Sequence, residues 1–132
     1  MDQFEISTIL PVSPDVLFRA WLDSAVHGAF TGSPAEIADG VGGAFSAWDG
    51  YISGRTLELD PPRRILQAWR TTEFPPGAAD SRLELRFEPS GAGTRLTLHH
   101  SRIPEGQGSM YAEGWHEHYF APMRRYFSHS PR

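Results

Sequence analysis

The chain has no cysteine, which removes disulfide scaffolds, thiolate metal sites and cysteine nucleophiles together. A reducing compartment, the cytoplasm, is the expected location. No apolar run approaches the roughly 20 residues that span a bilayer, so membrane insertion is not expected. The opening residues, Met1-Asp2-Gln3-Phe4-Glu5, carry neither the basic nor the apolar region of a secretory signal. Basic charge is sparse: twelve basic side chains are scattered, with Arg63-Arg64 and Arg124-Arg125 the only doublets. At a net charge of −4 the chain offers no phosphate-tracking stripe, and nucleic acid is not an expected partner.

Catalytic signatures are missing as well. There is no GxSxG elbow, and Ser46, Ser53 and Ser101 lack a base partner visible in sequence. Gly40-Val41-Gly42-Gly43 leads into a strand rather than a phosphate-binding helix. The histidines do not pair for metal. His99 and His100 are neighbours on a strand and point to opposite faces. His116 and His118 diverge by roughly 200° on a helix. No metal or cofactor is expected, and no catalytic residue is singled out.

What is present is a chain of 132 residues. That length suits one compact domain burying roughly two-thirds of its unfolded surface. The expected core runs from about 4 to 127, with a short tail at 128–132. Asp2 to Leu10 alternates as a first strand. Ser13-Pro14-Asp15 then starts a helix: a capping hydroxyl, a proline suited to the first turn, and an acid matched to the helix dipole. Asp23-Ser24 opens a second, short helix through Phe30.

From Ala35 the period becomes two. Asp49-Gly50 signals a two-residue hairpin of the type I′ kind. Tyr51 to Leu59 returns, and Pro61-Pro62 ends that strand. Arg63 to Arg70 follows, with Ile65, Gln67 and Trp69 on one side. Arg82 to Glu88 alternates, with Leu83, Leu85 and Phe87 inward. A hairpin at Ser90 to Gly93 leads to Thr94–His100, with Leu96, Leu98 and His100 inward.

Gly108 to Phe127 closes the chain as one long amphipathic helix. Tyr111, Trp115, His118, Tyr119, Pro122 and Tyr126 share one face, with Glu113, Glu117 and Arg124 opposite. Pro122 deletes the bond to the His118 carbonyl, so a local kink is expected there. A large antiparallel sheet with one apolar face needs a cover, and this helix is the one element long enough. The expected architecture is α+β: a curved antiparallel sheet wrapped around the C-terminal helix, a helix-grip arrangement with two short helices after the first strand.

Several segments carry a family resemblance in the expected order. They are Ala20-Trp21-Leu22-Asp23-Ser24, Val41-Gly42-Gly43-Ala44-Phe45, Leu59-Asp60-Pro61-Pro62-Arg63-Arg64-Ile65, Gly93 to His100, and Gly114-Trp115 in the last helix. The chain resembles the START-like, polyketide-cyclase-like superfamily, in the branch similar to the activator of heat-shock protein 90 ATPase. The resemblance spans about Phe4 to Phe127. It implies the helix-grip fold and admits three roles: a small-molecule binding module, a regulator that takes a chaperone as protein partner, or a cyclase- or hydrolase-like enzyme. It also admits a homodimer.

The residues favour the first of these. Trp21, Phe45, Trp48, Trp69, Trp115 and Tyr119 are expected to line an apolar cavity between sheet and helix, taking an apolar or aromatic small molecule. Gln67, His100 and His118 are the expected polar anchors, with His100 or His118 the candidate general base in the enzymatic alternative. Each aromatic also fits a plain core position.

Overall fold

A computed structural model of the chain describes residues 1–129. The first strand, β1, spans Asp2–Leu10 and is followed by helix α1, Pro14–Leu22. Ser13 caps α1 by accepting from the Val16 N–H at 3.3 Å, and Pro14 occupies the first turn, where its missing N–H costs nothing. Helix α2, Ser24–Thr31, is capped by Asp23, whose carboxylate accepts from the Val26 N–H at 3.0 Å. Such caps contribute about 1 kcal/mol each. Gly32 ends α2 in the left-handed conformation (φ 79°), which a side chain would resist.

Six strands follow: β2 (Glu36–Ile37), β3 (Ala44–Ala47), β4 (Ile52–Asp60), β5 (Arg64–Thr71), β6 (Ser81–Ser90) and β7 (Gly93–Ile103). They form a meander, and β1 adds to its far edge, giving a seven-stranded antiparallel sheet of order β1-β7-β6-β5-β4-β3-β2. Alternation decides which face is buried. Leu83, Leu85 and Phe87 of β6 and Leu96 and Leu98 of β7 are all fully buried beneath the helices. Phe18 of α1 meets Phe87 edge to face at 5.4 Å.

The β3–β4 connection departs from the expected two-residue hairpin. It is a four-residue loop, 48–51, closed by a bond from the Tyr51 N–H to the Trp48 carbonyl. Trp48 (φ 54°), Asp49 (φ 55°) and Gly50 (φ 89°) are all left-handed. Glycine accepts that conformation freely, but a bulky tryptophan does not. The loop therefore holds Trp48 in a strained backbone at the end of the sheet.

The expected single C-terminal helix is three consecutive pieces: α3 (Gly108–Trp115), a π turn (His116–Phe120) and α4 (Ala121–His129). Ser128 and His129 thus extend the helix, and the rest of the expected tail, 130–132, lies outside the described residues. In the π turn the Ala121 N–H reaches back five residues to the His116 carbonyl. Pro122 has no N–H, so the ladder is already interrupted where the wider turn forms. One extra residue per turn advances the inner face by one position. Met123 and Phe127 are buried, at 0% and 3% exposure, where Pro122 and Tyr126 were expected. The expected kink is thus replaced by a change of register.

Candidate functional site

Beneath the helices two of the three expected polar anchors, Gln67 and His100, have their hydrogen bonds taken up by neighbouring core groups. Gln67 accepts from the Trp21 indole at 3.4 Å and donates to the Thr56 hydroxyl at 3.2 Å. The Trp115 indole donates to Nδ1 of His100 at 3.1 Å, which puts the imidazole proton on Nε2. Nε2 then donates to the Ser81 hydroxyl at 2.8 Å, and Ser81 passes its own hydrogen to the Trp69 carbonyl. Both nitrogens of His100 are engaged, and burial lowers its pKa to about 3, with a smaller push from His99. The His100 ring stands edge-on to Trp69 at 4.5 Å.

His27 is a second buried histidine, and nothing in the sequence marked it beyond a place in a short helix. Its Nδ1 lies 2.8 Å from the Trp21 carbonyl, which can only accept, so Nδ1 carries the proton. Nε2 therefore accepts from the Tyr119 hydroxyl at 2.8 Å. Burial lowers the pKa of His27 to about 4, with the carbonyl bond pulling weakly the other way. Burial also pushes the Tyr119 phenol well above its ordinary value. The Trp48 indole is close enough to oppose that rise slightly, yet its N–H makes no hydrogen bond of acceptable geometry. Among the described residues it is a buried side-chain donor without an acceptor.

The interior is accordingly packed. Trp21, Phe45 and Gln67 border a space of only about 10 Å³, room for one water. The deep part of the sheet–helix interface is therefore filled, and the space between sheet and C-terminal helix opens nearer the surface. Aromatic rings pack on one another in the deep part, as in Trp115 against Tyr119 at 4.6 Å and Trp21 against Tyr119 at 5.2 Å.

The open space lies to one side, in a cleft of about 510 Å³. One wall is the flank of α3 and the π turn, where Met110, Gly114, Glu117 and His118 recur at helical spacing. The other is the end of the sheet, from Trp48 and Tyr51 to Ile52. Trp69, Tyr111, Trp115 and Tyr119, nearly fully buried, form the floor between them, and Glu113 joins Glu117 at the helix side. Tyr51 donates to the Glu73 carboxylate. Burial and that carboxylate push the Tyr51 pKa up to about 12.

Gly114 matters here because of what it leaves empty. A Cβ built on it meets nothing within 4 Å. Glycine inside a helix costs roughly 0.5–1 kcal/mol relative to alanine. No close contact in the fold requires it, so its consequence is an unobstructed helix-side wall.

Of the nine residues singled out from sequence, Trp48, Trp69, Trp115, His118 and Tyr119 border this cleft. Trp21, Phe45 and Gln67 border the water-sized space, and His100 borders neither. The expectation that His118 points inward is corrected: its side chain is 62% exposed, because the π turn widens there and buries Phe120 alongside the expected Tyr119. It lies edge-on to Trp48 at 5.5 Å. Glu113 and Glu117, assigned to the face opposite the pocket, stand at its helix-side rim.

Comparison with known proteins locates this geometry in a wider group. The family model described as Activator of Hsp90 ATPase homolog 1-like protein matches residues 11–128. The human Activator of 90 kDa heat shock protein ATPase homolog 1 is 29% identical over 120 residues, 91% of this chain but 35% of that protein. The chain spans about a third of the length of the curated relatives it matches. Among solved structures, an HSP90 activator from Plasmodium falciparum has a TM-score of 0.81 at 29% identity, covering 90% of this chain and 91% of that one. The Aha1 dimer from Colwellia psychrerythraea has a TM-score of 0.76 at 14% identity, covering 93% and 94%, a likeness of fold alone.

Proposed function

The chain belongs to the Activator of Hsp90 ATPase homolog 1-like family, and from that premise we propose that it binds a small apolar or aromatic molecule in the cleft beside its C-terminal helix. The observation that carries this reading is an aromatic-walled opening of about 510 Å³ whose helix side is kept clear by a glycine. Small-molecule sites have this character: roughly 300–1,000 Å³, mostly apolar, with a few polar groups. The unsatisfied Trp48 N–H supports it further. An indole drawn a short way outward would find its acceptor on a ligand, relieving a penalty of about 1–3 kcal/mol. The left-handed backbone under Trp48 is the kind of local strain that collects at binding sites.

The reading is tested by a thermal-shift screen of apolar and aromatic compounds on the wild-type protein and on Gly114→Leu. Compounds that raise the wild-type melting temperature should fail to raise that of Gly114→Leu, while the variant alone melts no lower than about the wild type. Equal shifts in both proteins, or none in either, would refute it.

A second reading, contact with a heat-shock chaperone, is favoured by the match to the human activator over 91% of this chain. Its test is calorimetric titration against purified heat-shock protein 90 with a parallel ATPase assay. Saturable binding would support it, and its absence would count against it. Native mass spectra of the same preparation would read whether this chain pairs, as the Colwellia protein does.

A further inference from the structure

Resting on the reading of the cleft as a ligand site, we propose that it selects organic cations: amines or quaternary ammonium groups carried on an apolar or aromatic body. Three observations converge on positive charge.

The walls are π-rich. Trp48, Tyr51, Trp69 and Trp115 all border the cleft, and the face of an aromatic ring carries the negative part of its quadrupole. Tyr51 also donates its hydroxyl hydrogen to the Glu73 carboxylate, which drives electron density toward the ring and strengthens its attraction for a cation.

The rim is acidic. Glu113 and Glu117 stand one helical turn apart on the same side of the opening. The Glu113 carboxylate makes no ion pair or hydrogen bond among the described residues. Glu117 has His118 beside it, with His118 Nε2 at 4.0 Å from its carboxylate. Against these, no lysine or arginine lines the cleft among the described residues, and His118 is the single lining side chain able to carry positive charge.

The geometry also admits a bulky head group. Gly114 lies between Glu113 and the aromatic Trp115 and projects nothing into the opening. A compact trimethylammonium would therefore find room beside the rings in an opening that both carboxylates border. An anion there would meet both π faces and carboxylates at the wrong sign. A neutral ligand would keep only the apolar contact. Surface carboxylates and exposed cation–aromatic contacts each contribute modestly, and together they amount to a preference of about tenfold.

The test is a matched series on one aromatic body: 2-naphthylmethanol, 2-naphthoate and (2-naphthylmethyl)trimethylammonium. They are titrated calorimetrically into the protein in a His118→Gln background, so that no lining base contributes. The cation should bind about tenfold more tightly than the alcohol, and the carboxylate more weakly than both. The double variant Glu113→Gln, Glu117→Gln alters exposed positions only. It should melt like its parent and lose most of the cation's advantage while keeping the alcohol's affinity. Raising salt from 50 to 500 mM should narrow the gap in the parent. If alcohol and cation bind equally, or the carboxylate binds best, the charge preference is wrong while the cleft stands as a site. If none of the three binds, the reading of the cleft falls and the preference with it.

Discussion

Acid should unfold this protein through two histidines that its sequence scatters and its fold buries. His27 and His100 are 4% and 0% exposed and neutral, with the proton fixed on one nitrogen each by the bonds described above. In the unfolded chain each titrates near 6.5, whereas in the fold burial holds His27 to about 4 and His100 to about 3. The folded state therefore binds fewer protons than the unfolded state between those values. Stability is fully present above about 6.5 and falls as pH drops toward 4 and 3. From pH 7.5 to pH 5 each histidine removes about 2 kcal/mol, so the pair removes about 4 kcal/mol. For a domain stable by about 5–15 kcal/mol that is a large fraction.

Urea denaturation at the two pH values measures the loss, and pH 5 keeps most carboxylates ionised, so the signal belongs to the histidines. Glutamine at position 100 can still accept from Trp115 and donate to Ser81 but cannot titrate. His100→Gln should therefore halve the pH-dependent loss to about 2 kcal/mol, and adding His27→Gln should nearly abolish it. A wild-type loss below 1 kcal/mol, or a loss unchanged in the variants, would refute the buried neutral pair.

Other perturbations separate structural from cleft roles. Gly114→Ala should stabilise the helix by up to about 1 kcal/mol and raise the melting temperature by about 3–5 °C; a decrease would mean the glycine meets a constraint the structure does not contain. Tyr119→Phe leaves Nε2 of His27 without its donor and should cost about 1–3 kcal/mol in urea melts, since that nitrogen is buried. Trp115→Ala should lose about 3–5 kcal/mol because the residue is 2% exposed, whereas His118→Ala should stay within about 0.5 kcal/mol.

The sheet was legible because its strands are half-buried: one apolar face and one polar face leave a period-two record, as in Leu83, Leu85 and Phe87 against Arg82, Glu84 and Arg86. Helix starts were legible because caps are local chemistry, and Ser13 and Asp23 both act at the expected places. The π turn was not legible. It inserts one residue without changing composition, so a steady 3.6 period placed Tyr119 inward correctly but added His118, Pro122 and Tyr126, where Phe120, Met123 and Phe127 are the buried residues. Nor could residue types distinguish rings that line a cavity from rings that fill it, because that depends on volumes summed across elements far apart in sequence. Gln67 and His100 illustrate the difficulty. Both are inward as their strand period implies, yet their partners, Trp21, Thr56, Ser81 and Trp115, come from four other elements. Glycine 114 was visible in the sequence, and its place on the flank of a cover helix was the available hint of an opening.

The central claim is that a ligand enters the helix-side cleft and leaves the packed interior alone. The most direct measurement is a two-dimensional NMR spectrum of protein labelled with 15N at its four tryptophans, titrated with 2-naphthylmethanol. Saturable shifts of the Trp48 and Trp115 indole signals are expected, while that of Trp21, donating to Gln67 in the core, stays in place. A leading shift at Trp21, or no shift at Trp48, would contradict it.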